Sequence, residues 1–229
     1  MESLKYKCLV LDHDDTVVNS TATIHYPAFV EIMKILRPQL QMSLNEFYEM
    51  NCHPGFVNFC QHVINLNKEE SALEYQHWKE YVAQHVPKAY EWMKKIILKQ
   101  KELGGYVCVA SHSLQTNILR DYKANNLPLP DLIFGKELPL ELVKPSPYAI
   151  NEILNNFKDL TNSDILVVDD LKPGYAMAKS GNVKFAAACW AHNVPEISSF
   201  MKKNANYCFY SPEELYKHLY SNEMAYNEK

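Results

Sequence analysis

The sequence predicts an α/β protein with a parallel sheet and a helical insertion. Three features lead to this fold class: short apolar runs recur along the 229 residues, helical patterns separate most of them, and one long interval shows helical patterns only. Strands that alternate with helices are typical of a parallel sheet built from crossover units. Hydrophobic residues make up 47% and charged residues 22% of the chain, so it can form an ordinary buried core.

The candidate strands are short runs rich in Val, Ile, Leu and Cys, a composition typical of buried strands. In chain order they are Tyr6–Leu11, Tyr106–Ala110, Leu132–Phe134, Ile165–Val168, Lys184–Trp190 and Tyr207–Tyr210. Helices are predicted over 89–97, with a C-cap at Gly104-Gly105, and over 114–122, 146–157 and 172–179, while Ser211-Pro212-Glu213-Glu214 opens a last helix as a capping box.

One interval breaks the alternation. Between about residues 19 and 86 no strand is apparent, but apolar residues recur at helical spacing, in stripes that include Phe29/Ile32/Met33/Leu36, Phe56/Phe59/Cys60/Val63 and Leu73/Trp78/Tyr81/Val82. A connection that holds roughly 65 helical residues is typical of a domain insertion. We therefore predict a core domain of residues 1–18 and 87–229 and a helical domain of residues 19–86. The alternative is that these helices simply cover the sheet.

Composition excludes several classes of protein. The net charge is −4 and no basic run stands out, which argues against a nucleic-acid partner. No apolar run approaches the ~18 residues of a membrane-spanning helix, and the first residues lack the apolar region of a signal peptide. The six cysteines include no C-x-x-C pair, a pattern that favours reduced thiols over disulfides or a zinc site. We therefore expect a cytoplasmic protein.

Acidic residues follow two of the predicted strands directly. Asp12, Asp14 and Asp15 come after the first strand, and Asp169 and Asp170 close the fourth. Functional groups collect at the carboxyl ends of strands in an open α/β sheet. Clustered carboxylates repel each other unless they share a cation or a proton, and oxygen-only clusters suit Mg²⁺. The alternative for the first group is a solvated turn or a helix N-cap.

Two further features suit an anion. Ser111-His112-Ser113 follows the second strand, where a helix begins and free N–H groups favour negative charge. Lys144 lies in Lys144-Pro145-Ser146-Pro147, where two prolines restrict the backbone around it. Each feature is common by itself, but together with the two acidic groups they form an ordered set.

In this order the motifs resemble those of the haloacid dehalogenase-like hydrolase superfamily. The matching residues are Asp12-x-Asp14-x-Thr16 for the first motif, Ser111 for the second, Lys144 for the third, and Asp169-Asp170 with Gly174 for the fourth. The helical insertion resembles the small cap of the branch that contains phosphoglycolate phosphatase and β-phosphoglucomutase. The resemblance implies a Rossmann-like three-layer core with strand order 3-2-1-4-5.

The resemblance also implies a mechanism. Asp12 would attack the phosphorus of a phosphate monoester, and Asp14, with a raised pKa, would act as the general acid and then the general base. Ser111 and Lys144 would hold the phosphate oxygens. Mg²⁺ would bind Asp12, the backbone carbonyl of Asp14, Asp170 and, directly or indirectly, Asp169.

The chain departs from the family at three positions. Asp15 replaces a usual Gly, Asn19 a usual Asp, and His112 a frequent Asn. The four chemical positions are intact, so these changes bear on substrate choice. We expect Thr16, His112, His25 and His53 to contact the substrate together with Ser111 and Lys144; for His53 the simpler reading is a capping or surface histidine.

The leading function is therefore a Mg²⁺-dependent phosphatase acting on a small phosphorylated metabolite. A sugar phosphomutase would use the same aspartyl-phosphate, and His25 with Ser111-x-Ser113 resembles that branch. A haloacid dehalogenase would need neither Asp14 nor the second acidic pair. A phosphoacceptor signalling module of the receiver type uses similar residues but has about half this length and no cap.

Overall fold

The computed structural model describes residues 4–221 and contains a six-stranded parallel sheet. The strands are β1 Cys8–Leu11, β2 Tyr106–Ala110, β3 Leu132–Phe134, β4 Ile165–Asp169, β5 Lys184–Ala188 and β6 Tyr207–Phe209. Their order is β3-β2-β1-β4-β5-β6. This confirms the predicted α/β fold class and the order 3-2-1-4-5, and the sixth candidate strand extends the sheet beyond β5.

Ten α-helices accompany the sheet in residues 4–221. They are α1 Tyr26–Leu36, α2 Leu44–Cys52, α3 Phe56–Asn58, α4 Lys68–Gln84, α5 Glu91–Glu102, α6 Gln115–Ala124, α7 Tyr148–Asn156, α8 Lys172–Ser180, α9 Pro195–Asn204 and α10 Pro212–Tyr220. Helix α9 was not predicted from the sequence, although Pro195 stands at its start and Ile197 and Met201 are buried one turn apart. None of the helices in this part of the chain is long and apolar enough to cross a membrane.

The core lies on both faces of the sheet. Successive side chains of a strand point to opposite faces. Leu9 and Leu11 of β1 accordingly join a cluster with residues of α5, α6 and α10, whereas Cys8 and Val10 join a second cluster with residues of α7, α8 and α9. All four side chains are fully buried. The sheet is therefore the middle of three layers.

The helix ends agree in part with prediction. Gly104 has a φ of +78°, the left-handed conformation expected for a C-cap glycine after α5. At α10 the Ser211 hydroxyl accepts from the Glu214 N–H at 3.2 Å, but the Glu214 carboxylate accepts from the Tyr210 N–H at 2.7 Å and not from Ser211. The predicted reciprocal capping box was therefore wrong in its second half, because the carboxylate reaches one residue further back.

The segment between β1 and β2 contains α1 to α4 and has a hydrophobic cluster of its own. Its buried members are Phe29, Ile32, Met33, Phe47, Met50, Phe59, Cys60 and Leu66. The segment before these helices is hydrogen-bonded to the segment after them. The Asn19 N–H donates to the Lys88 carbonyl and the Tyr90 N–H donates to the Val17 carbonyl, both at 3.0 Å. Two predicted apolar stripes are each wrong at one position, since Val63 is 55% and Leu73 is 49% exposed.

Candidate active site

The register of the two central strands brings the two acidic groups together. Leu11 of β1 is paired with Val168 of β4, and the Asp12 N–H donates to the Val168 carbonyl at 2.9 Å. Carboxylate oxygens of Asp12, Asp169 and Asp170 consequently lie within 4.8 Å of one another, and all three residues are buried. The predicted acidic cluster at the carboxyl ends of β1 and β4 is thus present as three side chains.

Lys144 is the cation of this cluster. Its Nζ donates to Asp12 Oδ1 at 2.8 Å and to Asp169 Oδ2 at 2.5 Å. Burial by itself would lower the pKa of Lys144, but the two carboxylates outweigh burial and raise it above its ordinary value. Lys144 therefore carries its charge throughout the physiological pH range.

One lysine does not neutralise three carboxylates. Burial, followed by repulsion from Asp12, raises the pKa of Asp169 to about 6 even though Lys144 opposes this rise. Burial and the neighbouring acids raise the pKa of Asp170 well above its ordinary value. A buried set of oxygen donors with excess negative charge is the environment that a hard divalent cation prefers. The residues present therefore fit a site for Mg²⁺.

The start of α8 approaches Asp169 so closely that only glycine fits there. A Cβ built on Gly174 would lie 2.2 Å from Asp169 Cγ. The Leu171 N–H also donates to Asp169 Oδ1 at 2.8 Å. The close approach of α8 and the hydrogen bond from the Leu171 N–H together fix the orientation of the Asp169 carboxylate. A glycine at position 174 leaves room for this carboxylate.

The Asp14 side chain has a separate set of partners. Oδ1 accepts from Ser20 Oγ at 2.6 Å and lies 3.1 Å from His25 Nε2, while Oδ2 accepts from Ser113 Oγ at 2.5 Å. Burial by itself would raise the pKa of Asp14, but the His25 ring and the bonds from His25 and Ser113 outweigh burial and hold the pKa well below its ordinary value. The expectation of a raised pKa was wrong, because the surrounding donors stabilise the carboxylate more than burial destabilises it.

The inserted helices determine how His25 meets Asp14. Trp78 of α4 donates its indole N–H to His25 Nδ1 at 3.1 Å. An indole nitrogen is only a donor, so Nδ1 faces Trp78 and Nε2 faces Asp14; burial by itself would lower the pKa of His25, but the Asp14 carboxylate outweighs burial and raises it. A chain of two hydrogen bonds therefore connects α4 with Asp14.

Asp15, where the family usually has Gly, adopts a conformation that suits glycine. Its φ is +58°, in the left-handed region. The side chain is buried and Oδ1 accepts from the Thr21 N–H at 3.0 Å. Burial raises the pKa of Asp15 to about 6. Asp15 is thus a residue with a side chain in a left-handed turn that glycine adopts more readily.

The end of β2 carries the hydroxyl groups that were predicted to bind an anion. Ser111 is buried, and its N–H donates to the Phe134 carbonyl at the end of β3 at 2.9 Å. His112 Nε2 donates to the Lys144 carbonyl at 3.0 Å, because a carbonyl oxygen only accepts. His112 therefore helps to position the segment that carries Lys144.

A crevice of about 720 Å³ opens between the inserted helices and the carboxyl ends of the strands. The predicted site residues that line it are Asp12, Asp14, His25, Ser111, His112, Lys144, Asp169 and Asp170. Two predicted substrate contacts are not among its lining residues. Thr16 is fully buried beneath the turn, and His53 is exposed on the surface. The structure therefore does not support substrate contacts by these two residues.

The family model for haloacid dehalogenase-like hydrolases matches residues 9–188. The chain belongs to this family. The matched range includes every motif residue named above, from Asp12 to Gly174. No curated protein matches this hydrolase by sequence.

Solved structures share its fold at low sequence identity. A predicted phosphoglycolate phosphatase from Haemophilus somnus 129pt is 17% identical, with a TM-score of 0.73 over 93% of this chain and 98% of that one. A HAD family hydrolase from Deinococcus radiodurans R1 with bound phosphate and sodium is 13% identical, with a TM-score of 0.71 over 94% and 96%. CbbY from Rhodobacter sphaeroides in complex with xylulose-(1,5)bisphosphate is 17% identical, with a TM-score of 0.67 over 92% and 96%. At these sequence identities, the three structures show only that this chain has the same fold.

One histidine of this hydrolase lies beside the acidic cluster and was not among the predicted site residues. His192 follows β5, its side chain is 3% exposed, and Nε2 lies 3.6 Å from Asp170 Oδ2. Its ring lies 4.8 Å from the ring of Tyr48 in α2, and burial lowers the pKa of His192 to about 4. The position of His192 after the carboxyl end of β5 is the sequence feature that could have predicted its place at the site. Its contact with Tyr48 could not be predicted, because the two residues are remote in sequence.

Lys136 was also missed. It follows β3, lines the crevice, and holds its Nζ 5.2 Å from the ring of Tyr75 and 5.0 Å from the ring of Trp78 in α4. A cation over aromatic faces is attracted by their electron density. This contact joins the core of the hydrolase to the inserted helices.

Proposed function

We propose that this protein is a Mg²⁺-dependent phosphatase that hydrolyses a small phosphorylated metabolite through an aspartyl-phosphate. The observation that carries the proposal is the position of Asp12, which lines the crevice, is held by Lys144 at 2.8 Å, and lies beside two further buried carboxylates. An ionised carboxylate next to a permanent cation is a nucleophile matched to an anionic phosphate ester.

In the first half-reaction a carboxylate oxygen of Asp12 forms a bond to phosphorus and the bond from phosphorus to the leaving alkoxide breaks. Ser111 and Lys144, which line the same crevice, bind the non-bridging oxygens. In the second half-reaction water attacks the phosphorus and releases phosphate and the free Asp12 carboxylate. Splitting the displacement into two steps is the advantage of a covalent intermediate.

Asp14 is proposed as the residue that moves the proton. Because its pKa is low, Asp14 is ionised in the free enzyme, which is the form that can accept a proton from water in the second half-reaction. For the first half-reaction Asp14 must be protonated, and the approach of a negative phosphoryl group raises the pKa of a nearby carboxyl group. A monoanionic phosphate ester carries the required proton with it.

The proposed Mg²⁺ ligands are Asp12, Asp169 and Asp170, together with the predicted backbone carbonyl of Asp14. When bound, the ion neutralises charge so that an anionic nucleophile and an anionic phosphate can meet. The negative charge in excess of Lys144 supports this assignment.

We further propose that residues 19–86 form a cap domain over a core domain of residues 1–18 and 87–229. Their separate hydrophobic cluster and the paired chain segments at Asn19 and Lys88 support this division. His25 and Trp78 carry the link from the cap to Asp14. The six cysteines are free thiols, which supports a reducing, cytoplasmic location.

The test is release of inorganic phosphate from a panel of phosphorylated metabolites, with Mg²⁺ and with excess chelator. We expect turnover that chelation abolishes and Mg²⁺ restores, and a loss of about 10³-fold or more for Asp12→Asn. The control variant is Asp159→Asn, an exposed residue bound to Tyr106 and Lys7 near the amino ends of the strands. Full turnover in chelator, or in Asp12→Asn, contradicts the proposal. Isomerisation of a sugar phosphate without release of phosphate would favour the mutase.

A further inference from the structure

One wall of the crevice is formed by one face of helix α4. Ser71, Glu74, Tyr75 and Trp78 all line the crevice. Their spacing of three, four and seven residues places them on the same side of a helix. This face is separate from the acids at the strand ends, so it is available to whatever the phosphate is attached to.

Aromatic rings form much of this wall. Phe29 of α1 lies 5.2 Å from the ring of Phe47 and 6.0 Å from that of Phe56, and all three line the crevice. Tyr75 and Trp78 add a stacked pair with centroids 5.7 Å apart. A volume of about 720 Å³ is that of a pocket for a drug-sized ligand. A substrate with a two- or three-carbon leaving group would leave the aromatic part of the crevice unfilled.

Glu74 is the polar group of this apolar wall. It is 7% exposed, and within residues 4–221 no hydrogen bond or ion pair of its carboxyl group is observed. Burial raises the pKa of Glu74 to about 7, with Lys136 acting in the opposite direction. Glu74 lines the crevice and its oxygens are not among the fully buried unpaired atoms, so a ligand that donates to this largely dehydrated carboxyl group can reach it and compensate for its burial.

Lys136 restricts which kind of ligand group can donate a hydrogen bond to Glu74. Its ammonium group lies over the rings of Trp78 and Tyr75, beside the face that carries Glu74. A cationic ligand would be repelled by this ammonium group, whereas a neutral N–H donor would not. The rings and the carboxyl group together are complementary to a flat ring whose edge carries N–H groups.

We propose that the leaving group of the substrate is a planar heteroaromatic ring with N–H donors on a short hydroxylated linker, the chemistry of a purine nucleoside monophosphate. This inference rests on the proposed phosphatase function. The ring lies among Phe29, Phe56 and Trp78, its N–H edge donates to Glu74, and the phosphate reaches Asp12.

The test compares guanosine 5′-monophosphate with ribose 5-phosphate. Both release phosphate from a primary alcohol, so a difference in kcat/KM reports the base alone. We expect kcat/KM to be about 10²-fold higher for the nucleotide, from base stacking together with hydrogen bonds to a buried carboxylate. A ratio near one overturns the inference.

The variant Glu74→Leu removes both acceptor oxygens and keeps a buried side chain of similar size. The nucleotide-to-ribose ratio should fall at least tenfold, while the thermal stability stays equal to or above that of the wild type. Glu69→Leu, at an exposed position one turn earlier in α4, should leave the ratio unchanged. An unchanged ratio in Glu74→Leu overturns the role of Glu74.

Binding separates this inference from the phosphatase proposal. Calorimetry on Asp12→Asn measures affinity for the same two esters without turnover. If the wild type releases no phosphate but the nucleotide binds at least tenfold more tightly in a Glu74-dependent way, the phosphatase proposal fails and the inference stands. If phosphate is released but neither affinity nor kcat/KM favours the nucleotide, the inference fails alone.

Discussion

Replacing Asp169 by Asn should change the pH dependence of stability in the metal-free protein. Burial raises the pKa of Asp169 from 3.8 to about 6. In the unfolded chain the group ionises near its ordinary value, so between these values the folded state binds more protons and folding becomes less favourable as pH rises. Asn carries no charge and removes this dependence without changing the size of the side chain.

The magnitude follows from the difference in pKa. A difference of about two, at about 1.4 kcal/mol for each tenfold change in proton affinity, corresponds to about 3 kcal/mol. This stability is present below pH 3.8 and is lost progressively as pH rises through 6. About half of it, on the order of 1 kcal/mol, is lost between pH 5 and pH 7.5. The Asn variant should therefore gain on the order of 1 kcal/mol on the wild type over this interval.

The assay is urea denaturation of wild type and Asp169→Asn at pH 5 and pH 7.5, first with chelator and then with saturating Mg²⁺. Bound Mg²⁺ stabilises the ionised acids, so the wild type should gain more from it than the variant, and more at pH 7.5 than at pH 5. The same difference between the two proteins at both pH values in chelator would refute the argument, because Asp169 would then titrate alike in the folded and unfolded states.

Three further predictions concern the same site. Lys144→Met should lower the free energy of unfolding at pH 7.5 by about 3 kcal/mol or more in urea titrations, because it leaves buried carboxylates without their cation, and by less at pH 5. Asp14→Asn should slow single-turnover phosphorylation by alkyl phosphates about 10²-fold more than by p-nitrophenyl phosphate, which needs no proton on its leaving group; equal losses would exclude a general-acid role. Asp15→Gly should raise stability at pH 7.5 by about 1 kcal/mol in thermal unfolding, since relief of the left-handed φ of +58° and of a buried carboxyl group outweighs the lost bond to Thr21.

Sequence patterns were sufficient to predict the fold class and most of the acidic site, and the family resemblance implied the strand order. Hydrophobic spacing is a local property, so alternating strand and helix patterns are readable without contacts. Parallel strands end at one edge of a sheet, so residues such as Asp12 and Asp169 that follow two strands can be expected to meet. The structure confirms that meeting through the register of Leu11 with Val168.

The ionisation of Asp14 and the composition of the crevice wall depend on contacts between residues that are distant in sequence. The donors to Asp14 include Ser113, which is 99 residues away, and Trp78 acts on it through His25, which is 53 residues from Trp78. The pKa of a carboxyl group depends on the balance between burial and donors, and neither is a property of neighbouring residues in sequence. The same holds for Glu74, whose place in an otherwise ordinary charged helix gives no sign that the packing of α1 to α4 buries it.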